Sequence, residues 1–436
     1  MDRPGPERVG PADRHRRCLQ PHRLLERGDR RAVPRGRRQL GRGDPGGVVL
    51  QDPGDRGRGP AVHQHLRRAL LLRALGGLEG LLLAGRLDQL PARPHQGDQG
   101  VTGTLVASFD TLGLACDPGT AVKARVPIGT LHEGTPVTLP VHVLHGAHPG
   151  PVACLTASVH GDERTGVFIL AEVLGAIDPA ELRGTIVAFP VVNPLAWMSD
   201  ARVAPLDASG TNMNRAFPGR PDGSISDRLA DAVQTGGIAR ADYCVDFHDG
   251  GCDCHARFTI VHDSTDADLV AGNRFLAAAY GNGMPVVLTP PVATTGMGGM
   301  ITRAANTLGT PAICVELGGH GPVDPAVVAE GARGLRRVLV ARGNLPGDPP
   351  EPEVLQELGD PYWLRAEDGG IWRPSVDVDA VVEAGDEIGT VADVFGDVLA
   401  VVRADVRCTV VSLRRSATLM TGDWICYIAP TPAGDR

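Results

Sequence analysis

Short apolar runs alternate with helical stretches between residues 101 and 345. Runs of strand length, rich in Val and Ile, lie at 137–146, 151–159, 185–192, 241–248, 257–262, 285–289 and 311–317. Stretches with helical periodicity lie at 164–177, 225–235, 267–281 and 325–343. Apolar strands that alternate with helices are typical of a sheet covered on both faces. The pattern therefore predicts an α/β fold with a mixed, mainly parallel sheet flanked by helices.

The pattern changes after the tract LPGDPPEPEV at 345–354, which has the composition of a linker. Beyond it the helical period disappears, and short strands are separated by Gly-Asp turns about every 8–12 residues. This spacing is typical of a small all-β barrel or sandwich. We therefore expect a catalytic domain at 101–345 and a small β-domain at 346–436.

Residues 1–100 show no sustained period of either kind, apart from leucines at helical spacing in 65–87. Arg, Gly and Pro dominate the segment, as in the run RRAVPRGRRQLGRGDPGG. Either this is a disordered arm, or it is not authentic coding sequence and comes from G/C-rich DNA read in a wrong frame. We assign it no function.

Composition narrows the class of protein. The net charge of −8 argues against nucleic acid as the main partner. Apolar runs stay well below the roughly 20 residues that span a bilayer, and we find no targeting segment. The nine cysteines are scattered and odd in number, which favours free thiols in a reducing compartment. We expect a cytoplasmic protein without nucleic-acid or membrane partners, and homo-oligomerisation stays open.

Candidate metal ligands follow two of the predicted strands. His160 and Glu163 come directly after the strand at 151–159, and His248 ends the strand at 241–248. Two histidines and one carboxylate, with an open fourth position, form a ligand set of hydrolytic zinc enzymes. Taken alone, the spacing of His160 and Glu163 is weak evidence, because a helix-start Glu is also favoured by the helix dipole. Asp246 could orient the imidazole of His248 or make a structural hydrogen bond, and both readings stay open.

Further polar residues accompany this set. Glu316 ends an otherwise apolar strand, where a carboxylate is costly to bury unless it is used or paired. It could take a proton from the attacking water and pass it to the leaving amine. The loop between two strands carries Arg202, Asn214 and Arg215, which suit a carboxylate clamp and the stabilisation of an oxyanion. The C-x-C-H run at 252–255 is a weaker zinc candidate, because its cysteine spacing is too short.

Five ordered motifs resemble those of a known family. HGDE, NP, NMNRAFPGRPDG, DFHDGG and VELGGHG are similar to motifs of the succinylglutamate desuccinylase/aspartoacylase family, which is related to the zinc metallocarboxypeptidases. The resemblance covers about residues 120–430, including the trailing β-domain. It is strongest to the branch that deacetylates small N-acetylated amino acids, such as N-acetyl-diaminobutyrate.

The resemblance implies a zinc carboxypeptidase-like fold and one Zn²⁺ per chain, held by three ligands: His160, Glu163 and His248. It implies that Glu316 is the general base and acid, and that Arg202 polarises the scissile carbonyl. Asn214 and Arg215 would hold the substrate carboxylate. The expected reaction is hydrolysis of the amide bond of a small N-acylated amino acid, which releases a carboxylate and the free amine.

Two other functions remain as alternatives: a zinc carboxypeptidase that cuts peptide C-termini, and a catalytically inactive binding protein. The chain also departs from the motifs of many family members. Asp162 stands where many have Asn, Asp249 where Ser is frequent, and Asn212-Met213 where Asp-Leu is frequent. These departures leave the acyl group and the amino acid undetermined.

Overall fold

The computed structural model describes residues 106–207, 209–290 and 299–431. These residues belong to one compact unit that begins at Gly100. The predictions made for residues 1–100 lie outside the described residues.

The first half of the described chain forms the edge and centre of the main sheet. Its elements in chain order are β1 (Phe109–Thr111), β2 (Leu114–Cys116), β3 (Thr120–Thr130), β4 (Pro136–His145), β5 (His148–Ala157), α1 (Thr165–Gly175), β6 (Arg183–Phe189), α2 (Pro194–Met198), α3 (Ile225–Gly236) and β7 (Tyr243–His248). Short 3-10 helices lie at Met213–Arg215 and Ile238–Arg240.

The second half completes the sheet and adds the C-terminal strands. Its elements are β8 (Cys254–His262), α4 (Ala267–Tyr280), β9 (Val286–Thr289), α5 (Ile301–Thr307), β10 (Ala312–Gly318), α6 (Pro325–Ala341), β11 (Glu357–Leu358), β12 (Tyr362–Arg365), β13 (Gly370–Pro374), β14 (Val381–Val382), β15 (Glu387–Ala392), β16 (Val398–Arg403), β17 (Cys408–Arg414), β18 (Thr418–Leu419) and β19 (Trp424–Pro430).

The main sheet is mixed, and its centre is parallel. Strands β6, β5, β7 and β10 lie side by side in parallel, and antiparallel strands β4 and β8 flank them. Because the central strands run the same way, the carboxyl ends of β5, β7 and β10 meet at one edge of the sheet. This is the edge where the sequence predicts its ligands.

Helices cover both faces of this sheet. On one face α1, α4 and α6 pack against the central strands, with Leu170, Leu335 and Val245 in one buried cluster. On the other face α3 and α5 contribute Leu229 and Ile301 to a second cluster. Each fully buried side chain of this size stabilises the fold by about 1.5–3 kcal/mol. The predicted α/β class is confirmed, and none of the described helices is long and apolar enough to cross a membrane.

The C-terminal strands extend the catalytic sheet. Strand β17 pairs with β8 in antiparallel register, with Ser412 opposite Ala256, and β19 and β12 follow it outward. A separate sheet of β16, β15, β13 and β18 packs a small core around Trp372 and Ile388. The additional all-β region is therefore present, and two C-terminal strands hydrogen-bond to the main sheet: β17 pairs with β8, and β11 pairs with β9.

Candidate active site

A tight turn presents the first two predicted ligands. Strand β5 ends at Ala157, and Ser158 adopts a left-handed conformation with φ of 54°. Gly161 then packs so closely on α2 that a Cβ there would lie 1.9 Å from the carbonyl carbon of Ala196. Glycine is therefore required between His160 and Glu163 for this turn to pack.

The three predicted metal ligands converge in one buried cluster. One donor atom from each of His160, Glu163 and His248 lies within 4.8 Å of the others. The two carboxylate oxygens of Glu163 lie 2.7 Å from His160 Nδ1 and 2.6 Å from His248 Nδ1. Two imidazoles and one carboxylate are donors that Zn²⁺ binds, so the residues present fit this metal.

The electrostatics of the cluster also suit a cation. Burial opposes ionisation of Glu163, but the two histidines hold its pKa well below the usual range. Burial likewise disfavours the imidazolium of His248, but the carboxylates of Glu163 and Asp246 raise its pKa well above the usual value. The buried carboxylates thus make the electrostatic potential at the cluster negative, and a divalent cation would be attracted to it.

Outer contacts fix both imidazoles. Asp246 Oδ2 lies 3.1 Å from His248 Nε2, while its Oδ1 accepts a 2.6 Å hydrogen bond from the hydroxyl of Thr156. The contact with His248 therefore supports an orienting role for Asp246, and the hydrogen bond from Thr156 supports a structural role. On the other histidine, Asn212 Oδ1 lies 3.0 Å from His160 Nε2. The sequence analysis singled out Asn212 only as part of a motif and did not foresee its contact with His160, because 52 residues separate the two.

The segment after β7 is tied to the segment after β5. The buried carboxylate of Asp249 accepts hydrogen bonds of 2.8 Å from the backbone N–H of Thr165 and of 2.8 Å from that of Gly251. Helix α1 receives no capping hydrogen bond from the side chain of its own N-cap residue, Arg164. Asp249 therefore caps the helix that follows Glu163.

Glu316 lies beside the metal ligands. In the parallel register of β7 and β10 it is level with His248. Burial raises the pKa of Glu316 to about 8, and the charge of Glu163 acts in the same direction, whereas His248 opposes it. The thiol of Cys314 lies 4.0 Å from Glu316 Oε1, and Glu316 is partly buried.

Arg202 reaches the same cluster from the loop after α2. Its Nη1 donates a 2.8 Å hydrogen bond to Glu163 Oε1, and the side chain is 42% exposed. On its other side, the guanidinium carbon lies 5.7 Å from the ring centroid of Trp424 on β19. A C-terminal strand therefore reaches the predicted catalytic arginine.

The predicted carboxylate clamp is only partly free in this structure. Asn214 Nδ2 lies 3.3 Å from His248 Nε2, and Asn214 Oδ1 accepts a 3.0 Å hydrogen bond from Ile301 N–H. Arg215 Nη1 donates to Asn214 O at 2.7 Å, and the residue is exposed. The carboxylate-binding role of both residues stays a prediction.

A second arginine, which the sequence interpretation missed, lies close to this clamp. Arg303 of α5 is 2% exposed, and its Nη2 donates to Pro290 O at 2.7 Å and to Thr289 Oγ1 at 3.2 Å. Its Nε has no hydrogen-bond partner within the described part of the chain. Burial lowers the pKa of Arg303, and so does the neighbouring charge of Arg215. The sequence signal that could have identified Arg303 is its position as the one charged residue in the helix sequence ITRAANT.

The rival cysteine site does not gather ligands. Among residues 106–207, 209–290 and 299–431, potential metal ligands form two groups, the triad around Glu163 and a group of Asp246, His248 and Cys314. The two groups share His248, and neither includes the run at 252–255. The geometry thus favours the predicted triad.

Comparisons with known proteins show which enzymes this chain is similar to. Residues 149–342 match the succinylglutamate desuccinylase/aspartoacylase catalytic domain. The chain is 29% identical to the N-alpha-acetyl-L-2,4-diaminobutyric acid deacetylase of Halomonas elongata over 300 residues, which are 67% of this chain and 86% of the relative.

Solved structures of related enzymes are also similar to this chain in sequence and fold. A succinylglutamate desuccinylase from Silicibacter sp. TM1040 is 26% identical with a TM-score of 0.65, and the match covers 77% of this chain and 100% of the other. The product-bound ectoine utilization protein of Ruegeria pomeroyi is 26% identical with a TM-score of 0.65, covering 75% and 98%. Residues 149–342 therefore match the catalytic domain of the succinylglutamate desuccinylase/aspartoacylase family, and the chain is similar in sequence and fold to members of that family.

Proposed function

We propose that this chain is a zinc-dependent deacylase that hydrolyses the amide bond of small N-acylated amino acids to a carboxylate and a free amine. The observation that carries the proposal is the convergence of His160, Glu163 and His248 beside Glu316 at the carboxyl edge of the sheet. The match to the family's catalytic domain and the names of the relatives support the acyl-amino-acid substrate class.

His160, Glu163 and His248 would hold one Zn²⁺. A zinc ion in such a site lowers the pKa of a water molecule and polarises a carbonyl oxygen. Asp246 and Asn212 contact the ring nitrogens that face away from Glu163, and they would fix the orientation of both imidazoles.

Glu316 would move the proton. It is level with His248 in the strand register, and the residue is only partly buried. From there it can accept a proton from the attacking water and deliver it to the amide nitrogen, so that the amine leaves uncharged. Its raised pKa suits a group that must both take and release a proton near neutral pH.

The arginines would bind the two oxygen-bearing ends of the substrate. Arg202, next to Glu163, would stabilise the negative charge that develops on the carbonyl oxygen. Arg303 is buried, Arg215 is exposed, and the charge of Arg215 lowers the pKa of Arg303, so two neighbouring guanidinium groups are available to an anionic ligand. We assign the substrate carboxylate to this pair, with Asn214 supporting Arg215 through its backbone oxygen.

The structure bears on the two alternatives and on the cellular location. The contact of Trp424 with Arg202 brings C-terminal strands to the rim of the site, which favours small substrates over peptide chains. The presence of Glu316 beside the ligands favours a working enzyme over an inactive binding protein. The cysteines of the described residues form no disulfide bond with one another, which suits the reducing cytoplasm that we propose as the location.

The test combines metal analysis with a substrate panel. The purified full chain should hold about one zinc per chain, and His160→Ala and His248→Ala should each remove it, whereas substitution of the exposed His148 should not. The zinc-bound protein should release amine from N-acetyl and N-succinyl amino acids, including N-acetyl-diaminobutyrate, and not from dipeptides. Undiminished zinc in both variants, or preferential cleavage of dipeptides, would contradict the proposal.

A further inference from the structure

We propose that Trp424, from the C-terminal strand β19, is a positioning residue for Arg202, and that its indole ring holds the guanidinium at the metal site. The inference rests on the proposed function only for the catalytic role of Arg202. It makes the C-terminal strands a working part of the active site.

The contact has the geometry of a cation–π interaction. The guanidinium carbon of Arg202 lies 5.7 Å from the centroid of the Trp424 ring, within the roughly 6 Å over which a cation is attracted to an aromatic face. The same guanidinium donates its hydrogen bond to Glu163. Arg202 therefore contacts both the carboxylate of a proposed metal ligand and an indole ring.

Neighbouring rings support this indole. Trp363 on β12 stacks on Trp424 with centroids 4.6 Å apart and planes inclined by 18°. Tyr427 stacks on Trp363 at 4.6 Å and 25°, and the two residues are direct partners in the antiparallel pairing of β12 and β19. A row of three stacked rings, anchored in hydrogen-bonded strands, forms a platform with little freedom to move.

Arg202 needs such a platform. It lies in the irregular segment after α2 and is 42% exposed, so a free side chain would populate many rotamers. Its ion-pair partner within the described part of the chain, Glu163, is also proposed to hold the metal, and the charge of that carboxylate would then be shared with the ion. The contact with Trp424 does not compete with the metal, and it therefore persists whether or not an ion is bound.

A second arginine on the same ring provides a matched control. The guanidinium of Arg365 also lies 5.7 Å from the Trp424 centroid, and its Nη1 donates to Gly422 O at 2.8 Å. Arg365 makes no contact with the ligand cluster among the interactions of the described residues. Loss of Arg365 should therefore remove a comparable cation–π contact without affecting the position of Arg202.

The kinetic test uses the zinc-bound full chain and N-acetyl-diaminobutyrate. Exposed cation–π contacts contribute about 0.5–1 kcal/mol, so Trp424→Leu should lower kcat about 2- to 5-fold, at tenfold for each 1.36 kcal/mol. KM and zinc content should stay unchanged, Trp424→Phe should restore most of the loss, and Arg365→Ala should keep the wild-type kcat. In an Arg202→Ala background, Trp424→Leu should cause no further loss of kcat.

A measurement independent of activity separates this inference from the proposed function. The midpoint of urea unfolding is measured for the wild type, Trp424→Leu, Arg202→Ala and the double variant. The midpoint of the double variant should fall by less than the sum of the two single falls, because both substitutions remove the same contact. Additive losses in midpoint, or an equal fall in kcat in the Arg202→Ala background, would overturn the role of Trp424. If Trp424→Leu does not fold, Trp424→Phe enters the same cycle. An unchanged kcat in Arg202→Ala would instead refute the proposed role of the arginine.

Discussion

Buried His262 should make the stability of this protein sensitive to mild acid. The imidazole is 1% exposed, with Nδ1 2.6 Å from Thr289 Oγ1 and Nε2 2.7 Å from Thr302 Oγ1. Burial and the charge of Arg303 lower the pKa of His262 to about 3. The same Thr289 hydroxyl accepts a hydrogen bond from Arg303, so protonation of His262 would disturb the site of that arginine.

The sign and size follow from the two pKa values. The unfolded chain protonates this histidine near pH 6.5, whereas the folded chain does so only near pH 3. The unfolded state therefore binds more protons between these values, and stability falls as the pH falls from 6.5 towards 3. At about 1.36 kcal/mol per pH unit, His262 should lower the free energy of unfolding by about 2 kcal/mol at pH 5 relative to pH 8.

Chemical unfolding of the wild type and of His262→Gln at pH 8 and pH 5 measures this contribution. The variant loses hydrogen bonds at pH 8, at a cost of about 1–3 kcal/mol, but it should be about 2 kcal/mol less sensitive to acid than the wild type. His148→Gln serves as the control, because the exposed side chain is hydrated in both states. The reasoning would be refuted if the free energy of unfolding fell by the same amount between pH 8 and pH 5 in the wild type and in His262→Gln.

Three further predictions concern the site and the N-terminal segment. Glu316→Gln keeps the shape of the side chain but loses its proton acceptor, so kcat should fall about 10²- to 10⁴-fold. Zinc content and melting temperature should stay nearly unchanged, and a near-normal kcat would contradict the proposed mechanism. Asp246→Ala removes the carboxylate behind His248 and should weaken zinc binding about 10- to 100-fold in a chelator competition, whereas unaltered affinity would leave Asp246 a purely structural role. A chain that starts near Val101 should fold and keep its activity, because residues 1–100 lack periodic patterning, and an insoluble or inactive product would contradict our interpretation of the segment.

The sequence best predicted the positions of those candidate site residues that lie at the end of an apolar run. His160, His248 and Glu316 each end or directly follow an apolar run, and parallel strands bring such ends to one edge. The helix predicted at 267–281 is observed as Ala267–Tyr280, because its boundaries are set by local signals, including the capping carboxylate of Asp266. Local pattern was enough for these elements.

Features that depend on tertiary contacts were not accessible in this way. The edge strand Thr120–Thr130 escaped notice, since only one of its faces is partly buried and the other carries Lys123 and Arg125. The buried position of Arg303 depends on partners in another strand and loop. The pairing of β17 with β8 was also unforeseen, because the sequence indicated a small β-domain without showing which strand it would join. The domain boundary near residue 346 stays a prediction.

The capping of α1 by Asp249 links the assembly of the site to the folding of the chain. The helix after Glu163 obtains its N-terminal acceptor from a residue that directly follows His248, 84 positions further along. Because α1 obtains this acceptor only when the segment after β7 has docked, we expect the proposed metal ligands of both segments to come into place together as the chain folds. The entropy of arranging them would then be lost during folding and not during metal capture, and an ion that enters the folded protein would meet a site that is already ordered.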